Sequence, residues 1–289
     1  MIPAPFGYKR PGTLAEALAL LREHGEDARL LSGGHSLLPL LKARLARPGV
    51  LIDIARIPGL SGITETAGGL RIGALTTHHE VEASPLVREA CPLLAEAAGR
   101  IGDVQVRNRG TIGGSAAHAD PASDYPAALL ALEAALVASS PDGTRSIPAA
   151  GFFTGPYESA LKPGEILTAV EVPSPPRGSG EAYLKAAQQA SGFAVCGVAA
   201  LVVPGPGGTI ASARVGVTGV AAPAYRARKT EEALAGKPAS PDALRRAAAL
   251  AAEGVEPLDD FYASADFRRQ LARVYAERAL AEALRRAKG

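Results

Sequence analysis

Two segments with paired glycines constrain this sequence more than any other feature. The first, Ser32-Gly33-Gly34-His35-Ser36, follows the short apolar run 28–31 and precedes a helical pattern that begins at Leu37. Paired glycines after a strand allow a sharp turn that points consecutive backbone N–H groups into one concavity, and a following helix adds N-terminal donors. The spacing matches neither a Rossmann dinucleotide fingerprint nor a P-loop. An ordinary tight turn and a phosphate-binding loop both remain compatible with it.

The second paired-glycine segment is Gly110-Thr111-Ile112-Gly113-Gly114-Ser115, and it lies within the polar stretch 101–124. Long polar segments between helical patterns are usually functional. The motif repeats the arrangement of a hydroxyl and two glycines, so two loops could bind a diphosphate in a cleft between two subdomains. His118 and Asp120 have no third ligand at a convincing spacing, and we therefore expect no metal site.

Alternating patterns predict an N-terminal domain of two parts. Helix, strand, glycine turn, helix and strand over roughly 1–55 indicate a small α/β subdomain. Strand patterns at 70–74, 135–138, 145–147 and 166–172, with helical patterns between them, indicate a second subdomain over 56–176. The proline- and glycine-rich stretch 173–180 is the clearest linker, and it predicts a domain boundary after residue 176.

The remaining residues, 177–289, predict a C-terminal α+β domain. Three β runs, 182–187, 194–203 and 210–219, indicate a three-stranded antiparallel sheet, and helical patterns follow them. The last helical pattern, 266–287, predicts an amphipathic helix with one side packed in the core. That side carries Phe267, Leu271, Val274 and Arg278.

Composition excludes several functional classes. Lys and Arg total 31 and Asp and Glu total 29, and the chain has no Trp, so neither a basic field nor a stacking platform favours nucleic acid. The N-terminus lacks a signal-peptide pattern, and no apolar run reaches the ~20 residues of a membrane span. We therefore expect a cytoplasmic protein. Cys91 and Cys196 are too few for an iron–sulfur cluster and are predicted core residues, whereas His24, His78 and His79 are predicted surface residues.

Three motifs, in this order and at this spacing, resemble the FAD-binding medium subunit of molybdenum hydroxylases. They are 32–39, 105–114 and 118–126, and the similarity runs nearly end to end. It is closer to the carbon monoxide dehydrogenase type than to the flavin domain of the xanthine dehydrogenase type. The resemblance implies an α+β chain with a two-subdomain FAD-binding fold of the PCMH type, followed by the three-stranded sheet with helices.

The resemblance also implies a set of FAD-binding residues. The first loop would wrap the diphosphate through backbone donors, and the second would hold it from the other side. The first group is Leu31, Ser32, Gly33, Gly34, His35, Ser36 and Leu37, and the second is Thr111, Gly113, Gly114 and Ser115. Asp124 would bind the ribose or adenine half, and Ile101 and Leu167 would line the cofactor. Lys185 would be a cation near the flavin, and Phe193 would lie against the isoalloxazine. No catalytic residue or metal ligand is implied in this chain.

The family organisation implies partner subunits. Substrate would be oxidised at a molybdenum cofactor on a large subunit, and electrons would pass through 2Fe-2S clusters on a small subunit to the FAD of this chain. The complex is expected to be a dimer of heterotrimers. Two alternatives stay open: a self-sufficient FAD-dependent oxidoreductase, and a flavin-free regulatory subunit. The small C-terminal part argues against the first, and the intact glycine loops argue against the second.

Overall fold

A computed structural model describes residues 2–287 of the chain. The N-terminal subdomain is a three-stranded parallel sheet in the order β1-β3-β2, with two helices. Its elements are β1 (Gly7–Lys9), α1 (Leu14–His24), β2 (Ala28–Leu31), α2 (Leu37–Lys42) and β3 (Val50–Asp53). The Thr13 hydroxyl caps α1 by accepting from the Glu16 N–H, as the Thr-x-x-Glu spacing predicts. The predicted order of elements is confirmed, and a short first strand joins them.

The second subdomain is built on a five-stranded antiparallel sheet in the order β4-β5-β10-β6-β7. Its strands are β4 (Ile63–Thr66), β5 (Gly69–Gly73), β6 (Ala135–Ser140), β7 (Gly143–Pro148) and β10 (Ile166–Pro173), with the small hairpin β8 (Phe153–Gly155) and β9 (Glu158–Ser159). Its helices are α3 (His78–Ala83), α4 (Pro85–Ala90), α5 (Pro92–Gly99), α6 (Val104–Arg107), α7 (Ile112–His118) and α8 (Tyr125–Ala131). The predicted polar segment 101–124 therefore contains two short helices.

The C-terminal part contains the three predicted long strands and a two-residue fourth strand that the sequence did not indicate. The sheet order is β11-β12-β13-β14, all antiparallel. The elements are β11 (Gly180–Ala187), β12 (Ala194–Pro204), β13 (Ile210–Thr218), β14 (Tyr225–Arg226), α9 (Arg228–Leu234), α10 (Pro241–Ala248) and α11 (Ala265–Arg286). No helix within residues 2–287 is long and apolar enough to cross a membrane.

Strand alternation places the C-terminal sheet between two layers of helices. On β12, Ala199 and Leu201 pack into the core that contains α5 and α8, whereas Val198 and Ala200 pack into the core under α11. This sheet therefore shares its packing with both parts of the chain. Cys91 and Cys196 lie one in each core, as predicted, and burial raises the pKa of each thiol to about 12.

The predicted packing side of α11 is only partly right, because Leu271 packs against the C-terminal core. Phe267 is half exposed and Arg278 is exposed, whereas the buried stripe consists mainly of alanines. The buried residues of α11 are Arg268, Ala272, Ala276, Ala279, Leu280 and Ala283. Small side chains let the helix axis approach the sheet closely, and a pattern search for large apolar residues misses such a face.

Candidate functional site

A cleft of about 520 Å³ lies between the two N-terminal subdomains and the β11–β12 hairpin. This volume is within the usual ~300–1,000 Å³ range of small-molecule sites. All of the predicted site residues line the cleft except Leu31 and Lys185. Leu31 ends β2, where its carbonyl accepts from the Ile54 N–H at 2.9 Å, so it leads into the first loop.

The two glycine loops touch each other at one end of α7. The Ser32 and Thr111 hydroxyls form a hydrogen bond at 2.8 Å. A Cβ added at Gly33 would lie 2.0 Å from the Arg109 carbonyl oxygen. Gly33 is therefore required by the close approach of the two loops, and this contact fixes their relative position.

The first loop presents unpaired donors to the cleft. The N–H groups of Gly33, Gly34, His35 and Ser36 donate to no carbonyl group within the described residues. Gly34 has φ +82, a conformation that favours glycine, and the chain then turns so that the Leu38 N–H donates to the Gly34 carbonyl at 2.9 Å. Consecutive unpaired N–H groups on a concave wall are suited to an anion such as a diphosphate.

The second loop does not repeat the row of unpaired N–H groups, and its role in holding the diphosphate stays a prediction. The Gly113 N–H donates to the Ala74 carbonyl at 2.8 Å, and the Gly114 N–H donates to the Thr111 hydroxyl at 3.1 Å. The Ser115 N–H donates to the Thr111 carbonyl at 3.0 Å. Because α7 starts at Ile112, these donors serve the helix and its packing. The loop supplies a close-packed wall with the hydroxyls of Thr111 and Ser115.

Asp124 belongs to a buried network between α8 and the C-terminal sheet. Its carboxylate accepts from the Tyr183 hydroxyl at 2.6 Å and from the Lys185 ammonium at 2.8 Å. Lys185 also donates to the Arg100 carbonyl at 2.9 Å. Burial raises the pKa of Asp124 to about 6, although Lys185 and Tyr183 oppose this effect. The positive charge of Lys185 is thus neutralised by the Asp124 carboxylate. Asp124 lines the cleft, whereas Lys185 contacts the cleft only indirectly, through its ion pair with Asp124.

His78 is a cleft residue that the sequence interpretation missed. It is buried rather than on the surface, and its Nδ1 lies 3.2 Å from the Tyr125 hydroxyl. Burial lowers the pKa of His78 to about 4, and the charges of His35 and Arg107 act in the same direction. One signal was available in the sequence: the Thr77-x-x-Glu80 spacing predicts a capped helix, and His78 lies three positions before the apolar Val81 and so on the same face.

Phe193 stands at the tip of the β11–β12 hairpin and is 42% exposed. The Gln188 N–H donates to the Phe193 carbonyl at 2.8 Å, and the Ala194 N–H donates to the Ala122 carbonyl at 3.0 Å. These bonds hold an aromatic ring at the cleft wall. Across residues 2–287, no three His, Cys, Asp or Glu side chains are grouped so that they could hold a metal ion.

Comparison with known proteins identifies the family. The FAD binding domain in molybdopterin dehydrogenase matches residues 4–175, and the CO dehydrogenase flavoprotein C-terminal domain matches residues 181–283. The chain is 43% identical to the carbon monoxide dehydrogenase medium chain of Hydrogenophaga pseudoflava, over 97% of each chain. It is 39% identical to the 6-hydroxypseudooxynicotine dehydrogenase complex subunit alpha of Paenarthrobacter nicotinovorans, over 100% of this chain and 97% of that one.

The fold agrees with these matches. A solved carbon monoxide dehydrogenase from Hydrogenophaga pseudoflava, lacking the Mo-pyranopterin moiety of its cofactor, superposes with a TM-score of 0.96 at 44% identity. The superposition covers 99% of this chain and 100% of that chain. Together with the paired loops and the cleft between them, these matches show that the chain belongs to the family of FAD-binding flavoproteins of molybdopterin dehydrogenases, of the carbon monoxide dehydrogenase medium-chain type.

Proposed function

We propose that this chain binds one non-covalent FAD in the cleft and serves as the flavin-carrying electron-transfer subunit of a molybdenum hydroxylase. The observation that carries the proposal is the row of unpaired N–H groups from Gly33 to Ser36 on the cleft wall. Four consecutive donors beside a rigid loop contact form a site for a diphosphate, which is the anionic centre of FAD. When bound, FAD supplies the redox chemistry, since a flavin accepts single electrons and releases a pair.

The chain's own residues orient the cofactor. The first loop binds the diphosphate, and the contact between Ser32 and Thr111 holds that loop against α7. Asp124 already accepts two hydrogen bonds, but a carboxylate has about four acceptor positions, so it can also accept from a sugar hydroxyl. Ile101, Leu167 and Phe193 form apolar walls for ring systems and exclude water from them.

A competition experiment tests the diphosphate site. Apoprotein is titrated with FAD, and binding is followed by quenching of flavin fluorescence. Excess ADP should displace FAD, because it carries the diphosphate that the first loop binds, whereas adenosine at the same concentration should not. Equal displacement by both compounds would show that the first loop does not bind the diphosphate.

We further propose that the chain works with a large subunit that holds the molybdenum cofactor and a small subunit that holds 2Fe-2S clusters, as a dimer of heterotrimers in the cytoplasm. The two relatives above are named as a medium chain and as a subunit of a complex, which supports a multi-subunit assembly.

We place the boundary between the FAD-binding domain, 1–176, and the C-terminal domain, 177–289, in the Pro173–Gly180 linker.

The substrate of the complex is not specified by this chain. Relatives of 43% and 39% identity are named for carbon monoxide and for 6-hydroxypseudooxynicotine, so one flavin fold accompanies different substrate chemistries.

Affinity purification of the tagged chain from its native cells tests the assembly. Two further chains, one bringing molybdenum and one bringing iron, are expected. A yellow protein that purifies alone and turns over substrate would instead support the self-sufficient oxidoreductase.

A further inference from the structure

We propose that His78 is a positioning residue for FAD binding, because its imidazole fixes the start of the second glycine loop against the buried Tyr125 hydroxyl. The inference rests on the proposed function, since it concerns the affinity of the same cleft for FAD. The proposed function concerns the residues of the two glycine loops, whereas this inference states that a side chain outside both loops, that of His78, sets their relative position.

The backbone of His78 is joined to the second loop. Thr77 caps α3, and its hydroxyl and backbone N–H form a reciprocal capping box with Glu80. The His78 N–H then donates to the Gly110 carbonyl at 2.9 Å, and the Ile112 N–H donates to the Thr76 carbonyl at 3.0 Å. These bonds form an antiparallel bridge between Thr77 and Thr111. The rigid start of α3 is thus paired with the residues that begin the second loop.

The imidazole adds a second constraint on the same loop. A Cβ added at Gly110 would lie 2.5 Å from His78 Nε2, so the ring packs directly on the Gly110 backbone. On its other side, Nδ1 pairs with the Tyr125 hydroxyl, which is fully buried and has no other hydrogen-bond partner in the described chain. Because Thr111 follows Gly110 and bonds to Ser32, a shift of the imidazole would be transmitted to the contact between the loops.

The charged surroundings favour the neutral imidazole. Arg107, which is itself paired with Glu82 at 2.9 Å, is a charged residue that acts on His78. Burial lowers the pKa of His78 to about 4, and the Arg107 charge acts in the same direction. At neutral pH the residue therefore acts through its hydrogen bond and its shape and does not act as a charge on the cofactor.

A pair of nearly isosteric variants separates the hydrogen bond from the packing. Asn at position 78 places an amide group close to the position of Nδ1 and can still pair with Tyr125, whereas Leu has a similar shape without a polar atom. FAD titration of the apoproteins should show His78→Asn within about threefold of wild type and His78→Leu weaker by about tenfold or more. The matched control is His79→Leu, because the neighbouring His79 side chain is 52% exposed, and it should bind FAD as wild type does.

A double variant covers the case in which His78→Leu perturbs folding. Tyr125→Phe removes the same hydrogen bond from the other side and should also weaken FAD binding. The double variant should bind like His78→Leu alone, because the two changes remove one shared interaction. Equal affinity of the Asn and Leu variants, or additive losses in the double variant, would overturn the positioning role while wild type still binds FAD. A wild-type protein that binds no FAD would instead refute the proposed function and this inference with it.

Discussion

Replacing Gly33 with alanine is expected to weaken FAD binding by about a hundredfold while the chain still folds. The new Cβ would lie 2.0 Å from the Arg109 carbonyl oxygen and 2.8 Å from the Gly110 Cα. Ordinary contact begins at 3.4 Å, so the backbone of the second loop must retreat by roughly 1.4 Å. Because a backbone carbonyl cannot rotate away as a flexible side chain can, the loops must separate.

The magnitude follows from what this separation changes. The 2.8 Å bond between Ser32 and Thr111 would lengthen beyond hydrogen-bonding distance, at a cost of about 1 kcal/mol. Overpacking adds about 1–3 kcal/mol. One N–H group lost from the diphosphate contributes a further ~1.5–3 kcal/mol, as expected for a bond to a charged acceptor. The first two costs fall on the stability of the fold, and only the lost N–H contact falls on binding. A loss near 2.7 kcal/mol in binding, which is about a hundredfold, lies within the range of that last contribution.

The assay is a fluorescence titration of apoprotein with FAD, together with thermal melting with and without FAD. Gly68→Ala is the matched control, since a Cβ there meets nothing within 4 Å and the residue needs no left-handed conformation. Its FAD affinity should equal that of wild type. A Gly33→Ala protein that binds FAD as tightly as Gly68→Ala would show that the loop contact does not govern the site.

Three further outcomes are expected. Lys185→Met should lower the free energy of unfolding by about 3–5 kcal/mol in chemical denaturation, because it leaves the Asp124 carboxylate buried without its cation. Adding Asp124→Asn should restore part of this loss. An unchanged stability of the single variant would contradict the role of the buried pair. Burial raises the pKa of Glu181 from 4.5 to about 7, so the folded state loses stability as pH rises from about 4.5 to 7, and the full cost of the buried carboxylate is present above 7. Glu181→Gln, which can still accept from the Leu93 N–H, should therefore be more stable than wild type at pH 8 by about 3 kcal/mol and gain little at pH 4.5. A gain in the free energy of unfolding that appeared at pH 4.5 and not at pH 8 would contradict the raised pKa. Aldehydes, purines and carbon monoxide should not bleach the flavin of the isolated chain under anaerobic conditions, and bleaching would favour the self-sufficient oxidoreductase.

The sequence was sufficient for those parts of the site that depend on local chemistry. Ser32 to Ser36 follow a strand and contain adjacent glycines, so the turn and its N–H groups could be predicted from these residues alone. The linker after β10 and the three long strands beyond it were also predictable, because proline, glycine and apolar runs mark them directly.

The hydrogen bonding of the N–H groups in the second loop could not be predicted from its motif. Gly113 and Gly114 look like the glycines of the first loop, but a Cβ at Gly113 would lie 2.4 Å from the Ala74 side chain, and the Gly113 N–H is taken by the Ala74 carbonyl. That partner is far away in sequence, so the pairing depends on the tertiary fold. The same reason hid His78, whose partners Gly110 and Tyr125 lie 32 and 47 positions along the chain.

The FAD content of the purified chain tests the central claim most directly. Flavin absorbance against protein concentration gives the stoichiometry, and acid precipitation shows whether the chromophore is covalent. About one FAD per chain, released into the supernatant, is the expected result, because the described residues offer a diphosphate loop and packing contacts. A colourless protein that also fails to take up added FAD would contradict the account, and so would a flavin that stays with the precipitated chain.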